Sequence, residues 1–380
     1  MDPWVADQAA EIARGAERQL EALVGVSSPS GDVRGAEECA AVCAALLPGE
    51  AEVERVPCSS PDHARDMIAR VRGTGGARIL LLGHLDTVVA HDAHQPLRRD
   101  GEKLLGSGAV DMKGGDVLAL GVLRALAGRP ADIAEVALLL VCDEEWRTAP
   151  FSHAERFAGW DACLCFEAGE RTPDGDDGVV VRRKGAGTLH VTAEGVASHS
   201  GSNPDGGRNA LLALARVAQE VTARHDPSGR LHLTAVPTVL KSGHAFNVVP
   251  AAGELFCDLR ADDKSAFEAV LHGLPEQVDG VTLRKQLLRV WPGMDAREPT
   301  APVLGAAADV LGRPVVGRAR GGASDASHFA PLIGVTIDGL GPRGGAAHNP
   351  GEFVVARTLH ERAQVALAVA EAVLQRSGAS

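Results

Sequence analysis

The sequence predicts an α/β protein in which one domain is inserted into another, and three observations lead there. Short unbroken apolar runs, such as residues 79–82 (ILLL) and 136–142 (VALLLVC), alternate with helical stretches. Strands that are apolar at every residue are buried on both faces of a sheet, as in parallel α/β architectures. Near residue 186 the period changes: Leu189, Val191 and Ala193 alternate with Thr188, His190 and Thr192, the pattern of a half-buried strand. A chain of 380 residues is also long enough to divide between two cores.

Two helices open the chain, one over residues 5–24 and one ending near Leu47, parted by the SPSG turn at residues 28–31. A strand at 79–82, a helix at 113–126 and strands at 136–142 and 162–166 follow. After the change of period come a helix at 209–223, strands at 231–240 and 253–259, a helix at 264–271 and a strand at 281–290. That order is β-α-β-β-α-β, a ferredoxin-like unit. The larger domain therefore spans 1–185 and 293–380, and the insert spans 186–292. The α/β pattern resumes near Thr300 and closes with a helix over 359–375.

Hydrophobic residues make up 45% of the chain and charged residues 23%, an ordinary globular composition. The net charge of -12, with no basic run, argues against nucleic acid or an acidic membrane surface as partner. No apolar stretch approaches the ~18 residues that span a bilayer, and the segment MDPWVADQAAEIARG carries neither the basic nor the apolar part of a secretion signal. The seven cysteines are an odd, scattered set; Cys39 and Cys43 fall in a helical stretch, and Cys142, Cys163 and Cys165 in apolar runs. They read as buried reduced thiols of a cytoplasmic protein.

The chemistry stands just beyond the buried strands. ILLL is followed by GHLDTV, with His84 and Asp86; then comes GSGAVDMKGG, with Asp111. ALLLVC is followed by Asp143, Glu144 and Glu145, and CLCF by Glu167. Ligands of open α/β sheets bind outside the carboxyl ends of the strands, so these segments converge on one crevice. An imidazole and several carboxylates there call for a cation, and His348 in GGAAHNPGEF offers a second imidazole. Nitrogen and oxygen donors without sulfur suit zinc, with cobalt or manganese as substitutes. Two neighbouring ions need a bridging carboxylate, for which Asp111 is the central candidate. Asp86 can accept the second N–H of His84 and set its tautomer. Of Glu144 and Glu145, one can ligate while the other serves as general base.

Taken singly, each motif has a plainer reading. A His-x-Asp is usually a surface pair, a Glu-Glu a solvated helix start, and GSGAVDMKGG lacks phosphate-loop spacing. Their succession at strand ends is what points to metal. A rival chemistry would use Ser324, since GGASDA resembles a nucleophile elbow without its final glycine, with His328 four residues on.

Eight motifs in order, GHLDTV, GSGAVDMKGG, DEE, FEAG, GVASHSG, NVVP, GGASDA and AHNPGE, make the chain similar to the dinuclear zinc peptidases and deacylases of the aminoacylase group. Within that group it most resembles glutamate carboxypeptidase, beside acetylornithine deacetylase and succinyl-diaminopimelate desuccinylase. The resemblance implies a zinc-peptidase-type α/β catalytic domain with an inserted lid and dimerisation domain, hence a homodimer. It implies two zinc ions, one on His84 and Glu167, the other on Glu145 and His348, bridged by Asp111, with Glu144 as general base. It places His199 of ASHSG at the substrate carbonyl across a dimer interface, and Asn247 and Arg260 near a substrate carboxylate. The substrate so implied is a small N-acyl amino acid or dipeptide-like amide. Two departures stand out: Trp291 replaces a basic residue of the glutamate-cleaving relative, and WRTAPFSH follows DEE where relatives carry a glycine- and serine-rich turn.

Overall fold

The computed structural model describes residues 1–378. Helix α1 (Pro3–Val24) starts where Asp2 caps it, its carboxylate accepting the Val5 N–H at 3.2 Å with proline in the first turn. Its buried stripe, Val5, Ala9, Ile12, Ala16, Leu20 and Leu23, recurs every three or four residues. Helix α2 (Val33–Ala45) is capped likewise by Asp32, which accepts from Gly35 at 2.7 Å. Strands β1 (Glu52–Val56), β2 (Asp66–Arg72) and β3 (Ala77–His84) lead to helix α3 (Gly114–Ala127), then to β4 (Ile133–Val141) and β5 (Ala162–Cys165). Gly121 of α3 lets α1 pack closely, since a Cβ there would meet Ile12 at 2.7 Å.

The chain next forms β6 (Gly185–Glu194), α4 (Ala210–Thr222), β7 (Thr234–Ser242), β8 (Ala252–Ala261), α5 (Ser265–Gly273) and β9 (Val281–Trp291). It ends with α6 (Arg297–Leu311), β10 (Thr336–Ile337) and α7 (Arg357–Ser377). Shorter strands are named by their residues. By contacts the chain divides into two units. The first is Met1–Arg182, Asp295–Ala319 and the segment from Ser324 onward; the second is Arg183–Met294 with Arg320–Ala323. The four residues Arg320–Ala323 thus group with the second unit, although the sequence alone gives no sign of it.

In the first unit the sheet order is β1-β2-β4-β3-β5-β10. Strands β3, β4 and β5 run parallel, as their unbroken apolar sequences predict, with Ile79, Leu80 and Leu81 fully buried, and the two-residue β10 pairs parallel to β5 without such a signal. Each such side chain contributes about 1.5–3 kcal/mol by leaving water. The two remaining strands are antiparallel and have no clear signal in the sequence. In β2 the charges of DMIARVR hide a buried strand. Asp66 is fully buried because the Cys142 N–H donates to it at 2.8 Å and His153 Nε2 lies 2.7 Å away. Arg70 binds Glu135 at 2.6 Å and lies over the Phe157 ring.

The second unit has the antiparallel order β7-β8-β6-β9, with Gln277–Val278 on the far edge. This is the pairing that a β-α-β-β-α-β chain with a split βαβ gives. Leu189, Val191, Leu255, Leu259 and Phe267 form its core.

Candidate metal centre

Because β3, β4 and β5 are parallel, their carboxyl ends share one side of the sheet. His84 is the last residue of β3 and is 1% exposed. Glu144 and Glu145 follow β4, and Glu167 follows β5. Asp111 stands in the turn before α3, and His348 in the loop between Gly344–Gly345 and Phe353–Val355.

The side chains meet in two groups that share Asp111. Its Oδ1 lies 3.2 Å from His84 Nε2, and Glu167 Oε1 is 3.8 Å from the same nitrogen. Its Oδ2 lies 3.0 Å from His348 Nε2, which is 3.3 Å from Glu145 Oε1. Within each group the candidate ligand atoms lie inside 4.8 Å of one another. One carboxylate therefore presents an oxygen to each histidine, as a bridge between two cations requires. His348 has φ 64°, in the left-handed region that an ordinary residue occupies only when its surroundings hold it there.

Electrostatics favour the same reading. Burial pushes the carboxyls of Glu144 and Glu145 up, and their mutual repulsion adds to it for Glu144. His348 is raised to about 10 by its contacts with Asp111 and Glu145. His84 is raised too: burial opposes the shift, and Asp111 and Asp86 outweigh it. The carboxylates that raise both histidines are negative charge that a bound cation would neutralise. Its nitrogen and oxygen donors fit zinc, cobalt or manganese.

Supporting residues hold the ligands. Asp86 does more than the sequence foretells. Its backbone carbonyl oxygen is 3.0 Å from His84 Nδ1, and its Oδ1 is 3.4 Å away. Its carboxylate accepts the N–H groups of Glu144 and Glu145, each at 3.1 Å, which locks the two acidic residues to the end of β3. Glu352 was given no role by the sequence, although it ends the AHNPGE motif. It is 2% exposed and accepts the N–H groups of Gly108, Val110 and Asp111 at 3.0, 2.8 and 3.0 Å. The only sequence signal is an acid four residues after His348. Glu352→Ala is expected to weaken metal affinity roughly 10–100-fold, measured by titrating stripped protein with zinc. Parent-like affinity would show that the turn holds itself.

The other sequence candidates lie in the second unit. His199 Nδ1 accepts the N–H groups of Gly201 and Ser202, both at 3.1 Å, so the proton of the neutral ring sits on Nε2. The backbone carbonyl of Asn247 accepts the Ser200 N–H at 3.0 Å, beside the Ser198–His199 ladder with Val248 and Val249. Arg260, on β8, is paired with Asp258 at 3.1 Å. Trp291 is 7% exposed, with the Arg289 guanidinium 5.8 Å over its ring. In the first unit Ser324 is fully buried and its hydroxyl donates to Asp338 at 2.6 Å, while burial pushes His328 down to about 4. Nothing here favours a serine nucleophile. All seven cysteines are free thiols, six of them buried and Cys58 half-buried. Among the described residues no helix is long and apolar enough to cross a membrane.

An α/β sheet beside whose strand ends two histidines and two glutamates gather around one shared aspartate is the frame of a metal-dependent hydrolase. The chain belongs to peptidase family M20/M25/M40, whose pattern matches residues 80–372. It is 26% identical over 348 residues to carboxypeptidase G2 of Pseudomonas sp. (strain RS-16), covering 87% of this chain and 82% of that one. It is 29% identical over 315 residues to succinyl-diaminopimelate desuccinylase of Halorhodospira halophila, covering 76% and 81%. Its fold is similar to a dinuclear metal binding peptidase of the M20 family from Bacillus subtilis. The TM-score is 0.68 at 16% identity, over 95% of this chain and 99% of that one.

Proposed function

We propose that the protein is a dinuclear zinc hydrolase that cleaves the amide bond of a small N-acyl amino acid or dipeptide-like substrate with a free carboxylate. The observation that carries this reading is Asp111, whose two oxygens face two separate histidine–carboxylate groups. His84 and Glu167 would hold one ion and Glu145 and His348 the other, with Asp111 common to both. When bound, the ions supply Lewis acidity, which lowers the pKa of a water toward neutrality and polarises the amide carbonyl. Glu144 takes the proton of the attacking water and delivers it to the leaving amine, so the C–N bond breaks as the amine becomes neutral. His199, with its proton on Nε2, donates to the carbonyl oxygen as charge builds there. Arg260 anchors the substrate carboxylate through its fork, with Asn247 assisting.

A panel of N-acyl amino acids and dipeptides, varied one side at a time on zinc-loaded enzyme, tests the reading. Brisk hydrolysis of amides lacking a carboxylate would sink it. The same panel separates a carboxypeptidase from a deacylase of the acetylornithine or succinyl-diaminopimelate type, a second reading supported by the desuccinylase relatives. Arg260→Ala is expected to raise KM about 10–100-fold with kcat little changed; a fall in kcat at constant KM would remove the anchor role.

The inserted unit is our candidate for a homodimer interface. Edge strand β7 exposes Val236, Val239 and Leu240, and α4 exposes Leu211 and Leu212. Exposed edges and apolar residues of this kind are covered in stable proteins. Leu212→Glu should shift a dimer toward monomer in sedimentation equilibrium, and a monomeric parent would end the proposal. The free thiols support a reducing cytoplasmic setting.

A further inference from the structure

Beside the metal cluster lies a buried ion group that the reaction above does not use. Arg147 is 4% exposed, in the WRTAPFSH segment that follows Glu145. Its Nε and Nη2 donate to Asp143 Oδ1 at 3.1 and 2.8 Å. Its Nη1 and Nη2 donate to Asp325 Oδ1 and Oδ2 at 2.5 and 2.7 Å. Both carboxylates are buried. The second oxygen of Asp143 is held by the N–H and hydroxyl of Ser60 at 3.0 and 2.7 Å, and that hydroxyl accepts the Thr148 N–H at 2.9 Å. The Phe151 ring covers the guanidinium at 4.7 Å.

The consequence is geometric. Asp143 and Arg147 close the turn that contains Glu144 and Glu145, and Asp325 ties this turn to a segment 178 residues away. On the other side, the Asp86 carboxylate holds the two glutamate N–H groups. A planar guanidinium can grip two carboxylates at fixed angles, whereas an ammonium is a point charge without that fork.

We propose that Arg147 is a positioning residue for the hydrolysis: its fork on Asp143 and Asp325 fixes the 143–147 turn and thereby the place of the Glu144 carboxylate. This rests on Glu144 being the general base. A positioning loss acts on the chemical step rather than on substrate affinity. Arg147→Lys, zinc-loaded and folded by circular dichroism, is therefore expected to lose about 10–100-fold in kcat. KM should move less than about threefold, with metal content unchanged. Arg147→Ala should lose more, and millimolar guanidinium should restore part of its kcat where ammonium does not. If the alanine variant fails to fold, the lysine variant decides. A kcat within about twofold of parent in folded Arg147→Lys would overturn the proposal, as would a loss that tracks missing metal or appears in KM alone. Glu144→Ala, assayed alongside, separates the two ideas. An inactive Glu144→Ala with parent-like Arg147→Lys defeats the positioning role only; an active Glu144→Ala defeats the base reading itself.

Discussion

Glu144→Gln is expected to lower kcat by roughly 10²–10⁴-fold, the usual worth of a general base, while zinc content stays near that of the parent. The substitution is nearly isosteric, so the Glu144 N–H can keep its bond to Asp86 and the ligand Glu145 its place. What disappears is the ability to take a proton from water and return it to the amine. The measurement is paired: steady-state kinetics with metal analysis on the same sample. Retained activity would move the base elsewhere in the site. Loss of activity together with loss of metal would make Glu144 a ligand instead, with Glu145 the candidate for the free acid.

Stripping the metal with a chelator should abolish hydrolysis and lower Tm by about 5–10 °C at neutral pH, the effect of removing a ligand held far above its Kd. The gap should widen as pH rises from about 5 to 9. In the stripped protein, burial raises Glu144 and Glu145. His84 is raised although burial opposes it, and Asp111 and Glu145 carry His348 to about 10. A group whose folded pKa exceeds its unfolded value contributes stability below the unfolded pKa and loses it on the way up to the folded one. The two carboxyls begin that loss above about 4.3 and the histidines above about 6.5. Asp111 moves the opposite way, lowered by His348 and His84 against burial, and its contribution is lost only in strong acid. Metal ligation needs these groups deprotonated, so the loaded protein gains as the stripped one weakens. A Tm difference that stays flat across this range, or none on chelation, would count against the cluster as a metal site.

How much of this was legible in advance follows from where information sits along the chain. The parallel strands announced themselves because burial on both faces leaves no polar positions, and the groups beyond them were readable because a strand end fixes their side of the sheet. The antiparallel β2 was not, because its buried Asp66 and half-buried Arg70 are neutralised by partners distant in sequence, Cys142, His153 and Glu135. Glu352 and Arg147 escaped for the same reason. An isolated Glu or Arg is a surface residue by default, and only the fold brings three N–H groups to one and two carboxylates to the other.

The pairing of Ala186 with Trp291 across β6 and β9 has a thermodynamic meaning for the order of folding. The inserted unit leaves and rejoins the rest of the chain at cross-strand partners, which stand roughly 5 Å apart in an antiparallel ladder. Once its own sheet has formed, the first unit sees a short bridge in place of a long flexible loop. The conformational entropy of bringing the two halves of the first unit together then depends on that bridge and not on the length of the insert. His84 and His348 then lie closer along the effective chain by the length of the insert. The same adjacency marks this as a place where a different module could be spliced in without straining its host.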